Sequence, residues 1–131
     1  MDIWTFDVAR NTAARFTFEP TLEASPVWSP DGKKILYASG NDNISMGAAE
    51  RSASGVGQAA VLATGQMVPT SLSRDGRWLV FTEGDASRGA IVIRARADAK
   101  KVIRIQDRGV QRDGSLSPDG RWLLYASLSA A

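Results

Sequence analysis

The sequence contains no cysteine and no histidine. Without thiols there is no disulfide and no thiolate nucleophile, and structural zinc built on Cys or His is excluded. Without an imidazole, neither a Ser-His nor a Cys-His catalytic pair can be assembled. Long apolar runs are missing as well: no stretch approaches the roughly 18 consecutive apolar residues of a membrane span. The opening MDIWTFDVAR lacks the basic and apolar regions of a signal peptide. Nor does one sign of charge dominate. The 16 Lys and Arg are nearly balanced by 14 Asp and Glu, for a net charge of +2, so the composition points neither to nucleic acid nor to a membrane as partner. What remains, 44% hydrophobic and 23% charged residues over 131 positions, is the make-up of an ordinary globular domain.

The organising feature is a repeat. Ser29-Pro30-Asp31-Gly32, Ser73-Arg74-Asp75-Gly76 and Ser117-Pro118-Asp119-Gly120 start 44 residues apart. Pro presets φ at the second position of a turn, Asp bonds back to the local backbone, and Gly accepts the positive φ that leads into the next strand. Arg74 replaces Pro in the middle copy, which a type I turn tolerates at a small entropic cost. Behind each turn runs an apolar strand: Ile35 to Ser39, Leu79 to Glu83 and Leu123 to Ser127. Before each turn lies another, at 25–29, 68–73 and 112–117. Asp2 to Asp7 and Ile91 to Ile93 read as a third strand, since Ile3 and Ile91 each lie 26 residues ahead of a turn. Arg15 to Phe18, Ala60 to Leu62 and Val102 to Ile105 read as a fourth. In the remaining copy the third strand is expected at Asn43 to Met46, because the following GAAERSASGVGQ is small and poor in β propensity and reads as a long outer loop.

Four short strands in about 44 residues match the blade of a β-propeller and no helical repeat. The expected fold is therefore all-β: one domain, 1–131, of four-stranded antiparallel blades. Its approximate repeats are 1–22 (third and fourth strands), 23–66, 67–110, and 111–131 (first and second strands). That makes three blades' worth, half of a six-bladed ring. Rings need about four to eight blades, and open strand edges invite pairing. Completion by a second copy of the chain or by the remainder of a longer propeller is expected.

Trp28 to Ser39, WSPDGKKILYAS, resembles the repeat of the TolB-like six-bladed β-propeller family, and the resemblance extends over essentially the whole chain. Leu72 and Leu116 depart from it, standing where Trp or Phe is usual. The resemblance implies a non-catalytic module that binds a protein or peptide, in the periplasm. Related repeats gate prolyl oligopeptidase-like and tricorn-like peptidases or form kinase-associated sensors, so a piece of such a propeller is the alternative reading.

Candidate sites are few. Ser29, Ser73 and Ser117, with Asp31, Asp75 and Asp119, are expected to build turns, one set per blade, and not a catalytic centre. No cofactor or metal is expected. Gly40 to Asn43 is rich in oxygen ligands but lacks the spacing and distal Glu of an EF-hand. Gly55-Val56-Gly57 lacks the third glycine of a nucleotide loop. Residues 88–112 hold eight Lys or Arg against two Asp, a solvated face of the outer strands or a stripe for an acidic partner. Trp4, Trp28, Trp78 and Trp122 are expected to pack blade on blade. A binding site, if propeller geometry is followed, lies in the loops entering the innermost strand, Glu23 to Pro26, Gln66 to Thr70 and Gln111 to Asp113. Within them Glu23, Ser25, Gln66, Pro69, Thr70, Arg112 and Asp113 are the candidates.

Overall fold

The computed structural model describes residues 1–42 and 45–128. They form twelve strands and no helix: β1 (Trp4–Asp7), β2 (Thr12–Arg15), β3 (Leu22–Trp28), β4 (Lys34–Gly40), β5 (Gly47–Ser52), β6 (Ala60–Ala63), β7 (Met67–Leu72), β8 (Trp78–Gly84), β9 (Gly89–Ala95), β10 (Val102–Ile105), β11 (Val110–Leu116) and β12 (Leu123–Leu128). These strands make four antiparallel sheets in chain order: the pair β1-β2, the four-stranded β3-β4-β5-β6 and β7-β8-β9-β10, and the pair β11-β12.

The recurring turn is built the same way each time. The Ser29 hydroxyl donates to Asp31 at 2.6 Å and accepts the Lys34 amide at 2.9 Å, while Asp31 accepts the Lys33 amide at 3.0 Å. Ser73, Asp75, Arg77 and Trp78 repeat this network, as do Ser117, Asp119, Arg121 and Trp122. Gly32, Gly76 and Gly120 supply the positive φ, at 69°, 72° and 71°. Hydroxyl and carboxylate are thus consumed in closing each hairpin.

Successive sheets pack face to face. Leu36 and Ala48 of one meet Leu72, Leu79, Phe81 and Val92 of the next in a buried cluster. On the other side of β4, Ile35, Tyr37 and Ala49 meet Ile3 and Phe16 of the leading pair, with the Phe16 and Tyr37 rings edge to face at 6.3 Å. Polar clamps join the same faces. Glu50 is buried and takes Lys34 at 2.9 Å from its own sheet and both oxygens of its carboxylate face Arg96 of the next, at 2.9 and 3.0 Å. Burial alone would raise the Glu50 pKa, but the Lys34 and Arg96 hydrogen bonds and charges outweigh it and hold the group below its ordinary value.

Three expectations need correction. The third strand of the first complete sheet is β5, Gly47–Ser52, not Asn43 to Met46. Asn43 and Ile44 lie outside the described residues, and Ser45 and Met46 are not strand. Small side chains are what this strand requires, because a Cβ on Gly47 would stand 2.4 Å from the Ala63 carbonyl oxygen, and Ala48 and Ala49 are buried between sheets. The first fourth-position strand is Thr12–Arg15 instead of Arg15 to Phe18. A tight turn sets its register: the Asp7 carboxylate accepts the Arg10 amide and Asn11 adopts φ 54°, so Asp7 faces Thr12 and Trp4 faces Arg15. Lastly, Trp4, Trp28 and Trp122 are exposed. Blade packing is carried by Leu36, Tyr37, Leu79 and Phe81 instead, and only Trp78 is half-buried, with Lys101 over its ring at 5.3 Å.

Candidate functional site

The first strands of the sheets, β3, β7 and β11, lie next to one another. Each is interrupted by a register shift at the same repeat position: between Ala24 and Val27, between Pro69 and Ser71, and between Arg112 and Ser115. A bulge places one extra residue in a strand and turns a side chain away from the ladder. Ser25 and Asp113 accept the left-handed conformation there, with φ of 53° and 59°. Pro69 occupies the corresponding position of the middle copy and is paired with Phe81, and the residue left without a ladder partner there is Thr70.

The bulges open into one cavity of about 350 Å³, lined by Ser25, Pro26, Val68, Pro69, Thr70, Thr82, Arg112 and Asp113, with Val27 beside them. Hydrogen bonds stitch its walls. Thr70 Oγ1 donates to the Gly114 carbonyl at 2.6 Å, the Asp113 amide donates to Thr82 Oγ1 at 3.1 Å, and the Leu116 amide donates to Ser71 Oγ at 3.2 Å. The Arg112 guanidinium stands 3.9 Å from the Asp113 carboxylate, and both side chains are largely exposed. The cavity therefore offers one cation, one anion, hydroxyls and a proline face, which is equipment for binding a polar chain. It holds no paired acid and base at hydrogen-bonding distance.

The structure thus brings together five of the residues singled out in the sequence: Ser25, Pro69, Thr70, Arg112 and Asp113. They sit within the inner strands instead of in loops entering them. Two others lie elsewhere. Glu23 is buried, its carboxylate accepting the Thr21 hydroxyl, and Gln66 borders a separate cavity with Glu83, Arg88 and Arg104. Thr82, from β8, was not singled out. Its signal is its pairing opposite Val68 in the ladder, which no sequence spacing displays.

The remaining candidates have local roles. Asp42 accepts the Ser45 amide and hydroxyl at 2.7 and 2.8 Å. Among the described residues no group of three His, Cys, Asp or Glu is placed to hold a metal ion. Within the basic stretch, Arg94 reaches the Leu62 carbonyl and lies over the Phe81 ring at 5.1 Å, Arg96 clamps Glu50, and Arg104 pairs with Glu83. Those guanidinium groups tie strands and sheets together.

Sheets stacked face to face, joined by one recurring turn and aligned on adjacent first strands, define a partial β-propeller. Solved structures share this fold. The chain is similar to TolB of Acinetobacter baumannii with a TM-score of 0.74 at 20% identity, covering 93% of this chain and 31% of that one. A protein assigned as TolB from Agrobacterium tumefaciens gives a TM-score of 0.55 at 16% identity, covering 96% and 61%. The fold is TolB-like, and the chain spans about a third of the first structure's length. No family model and no curated protein matches.

Proposed function

We propose that this chain is a non-catalytic propeller module that binds a protein or peptide segment along its inner strands. The observation that supports this is the convergence of the bulges of the three inner strands, at Ser25, Thr70 and Asp113, on a single cavity that Pro69 and Arg112 also line. An extended peptide presents alternating donors and acceptors, and the hydroxyls and paired charges of this cavity answer both. The TolB-like fold supports protein binding as the class of activity and the periplasm as its setting. Function nevertheless rests on the site, since one fold hosts many activities.

The experiment is a selection of displayed peptides on the purified chain, followed by calorimetry of the winners against wild type, Arg112→Ala and Asp113→Asn, the last keeping a residue that accepts the left-handed conformation. Both side chains are exposed, so the variants retain the fold. Loss of one charge-assisted hydrogen bond predicts affinity about tenfold weaker. Peptides that bind both variants as tightly as wild type overturn the assignment of this cavity.

A further inference from the structure

β12 shows the sharpest mismatch between residue pattern and surroundings. Leu124 and Tyr125 occupy the positions that Leu36 and Tyr37 hold in β4, and Val80 and Phe81 in β8. Those four are at most 2% exposed, whereas Leu124 is 77% and Tyr125 43% exposed. In the complete sheets the edge of this strand is paired by a third, β5 on β4 and β9 on β8, and neighbouring sheets cover its faces. Among the described residues β12 has β11 as its single neighbour. Beside β12 runs a groove of about 730 Å³ whose apolar lining is Trp78, Ile93, Ile103, Leu116, Trp122 and Leu123, with residues of the two Ser-Pro/Arg-Asp-Gly turns at its rim.

The leading pair is the counterpart of what β12 lacks. β1 corresponds to β9, because Ile3 and Ile91 sit at the same distance before a turn and both are buried. The pairing of Trp4 with Arg15 repeats that of Val92 with Arg104. Yet Val92 is buried opposite Phe81, while Trp4 is 60% exposed. Phe6 stands in the place of Arg94, which rests on the neighbouring sheet, and is exposed too.

We propose that β1 of one copy of this chain pairs antiparallel with the open edge of β12 in a second copy. Trp4 and Phe6 then enter the groove beside Trp122, and a four-stranded blade is completed. The β8–β9 ladder gives the register: Ile3 opposite Ala126, Trp4 opposite Tyr125, Thr5 opposite Leu124, Phe6 opposite Leu123. Residues directly opposite share a face, and both faces agree with this register. Leu123, which lines the groove, falls beside Phe6. Leu124 falls on the side of Ile3, where it extends the cluster of Ile3, Phe16, Ile35 and Tyr37. Two such junctions close a ring of two copies and leave neither β1 nor β12 with an unpaired edge. A second copy is the occupant because the chain carries both halves of the blade, each with apolar side chains bare on the face the other would cover. The proposal is independent of what the inner cavity binds.

Light scattering tests the assembly. The wild-type chain at micromolar concentration is expected at twice its 14.0 kDa mass. Trp4→Asp and Leu124→Asp are each expected to be folded monomers by circular dichroism. Their equimolar mixture is expected to recover a dimer, because one junction then joins two unmodified edges. The absence of native cysteine permits a second test that leaves the apolar edges intact. Thr5→Cys combined with Leu124→Cys should give a reducible covalent dimer on oxidation, and Thr5→Cys combined with Tyr125→Cys, one residue out of register, should not. A folded wild-type monomer, an open ladder of larger oligomers, or a dimer indifferent to both aspartates would overturn the proposal. So would efficient cross-linking of the out-of-register pair.

Discussion

Asp31, Asp75 and Asp119 do the same work three times, and their titration reports it. Each is held below its ordinary pKa first by the hydrogen bond from its Ser partner and then by the amide two residues on. A carboxylate whose pKa is depressed on folding adds stability that is complete above its unfolded value and is lost as pH falls through the folded one. Asp75→Asn should therefore lower the thermal midpoint at neutral pH. It should also flatten the decline of stability in acid below 3.8, the ordinary value for this group, as followed by circular dichroism. Gly76 belongs to the same turn for a different reason. Its φ is 72° and a Cβ there would meet nothing, so Gly76→Ala should cost only the strain of the left-handed conformation, about 1 kcal/mol in chemical denaturation. Such turn residues were fully legible in the sequence, because hydroxyl, carboxylate and glycine at fixed offsets are local chemistry.

Strands were legible where the apolar pattern is local and obscured where a neighbour decides. The strands after each turn carry their own signal in Ile35 to Ser39 and its copies. β5 does not. GAAERS has weak strand propensity, and it becomes a strand because β4 and β6 pair with it on either side and a thin space admits only small residues. Gly47→Ala should accordingly be far more damaging than Gly76→Ala. Its Cβ would collide with backbone that cannot swing aside, an overpacking cost of roughly 1 to 3 kcal/mol measurable by urea unfolding. The inner strands were misread in the opposite sense. Propeller geometry put the candidate residues in loops entering these strands, whereas the structure holds Ser25, Pro26 and Asp113 in bulges inside β3 and β11. The positions of the candidate residues could be read from the spacing, but their convergence could not, since it depends on three strands lying side by side.

Cohesion between blades rests on mixed apolar and charged contacts. Arg96 crosses from one sheet to the buried Glu50 of the previous one, so Arg96→Ala leaves that carboxylate to Lys34 alone. A loss of about 1.5 to 3 kcal/mol is expected, as for a hydrogen bond to a charged group, and Arg96→Lys should restore only part of it because the guanidinium also donates its Nε to the Gly76 carbonyl at 3.1 Å, a second bond the ammonium does not make. Urea midpoints of the three proteins would rank them. That clamp was hidden in the sequence inside a basic stretch, since nothing in the spacing of Glu50 and Arg96 links them.

The constant 44-residue period carries a further consequence, one of valence. A junction between β1 and β12 is made by the terminal half-blades and the sheet faces beside them, and the repeats between are interchangeable in kind. The number of repeats in a chain then sets how many chains a ring takes, with no change at the seam. Duplicating one internal repeat would convert three blades' worth into four, about the smallest number that closes, and the two edges of a single chain could then meet each other. Assembly would pass from an affair of two molecules to one, and the concentration dependence of its melting temperature would vanish with the partner.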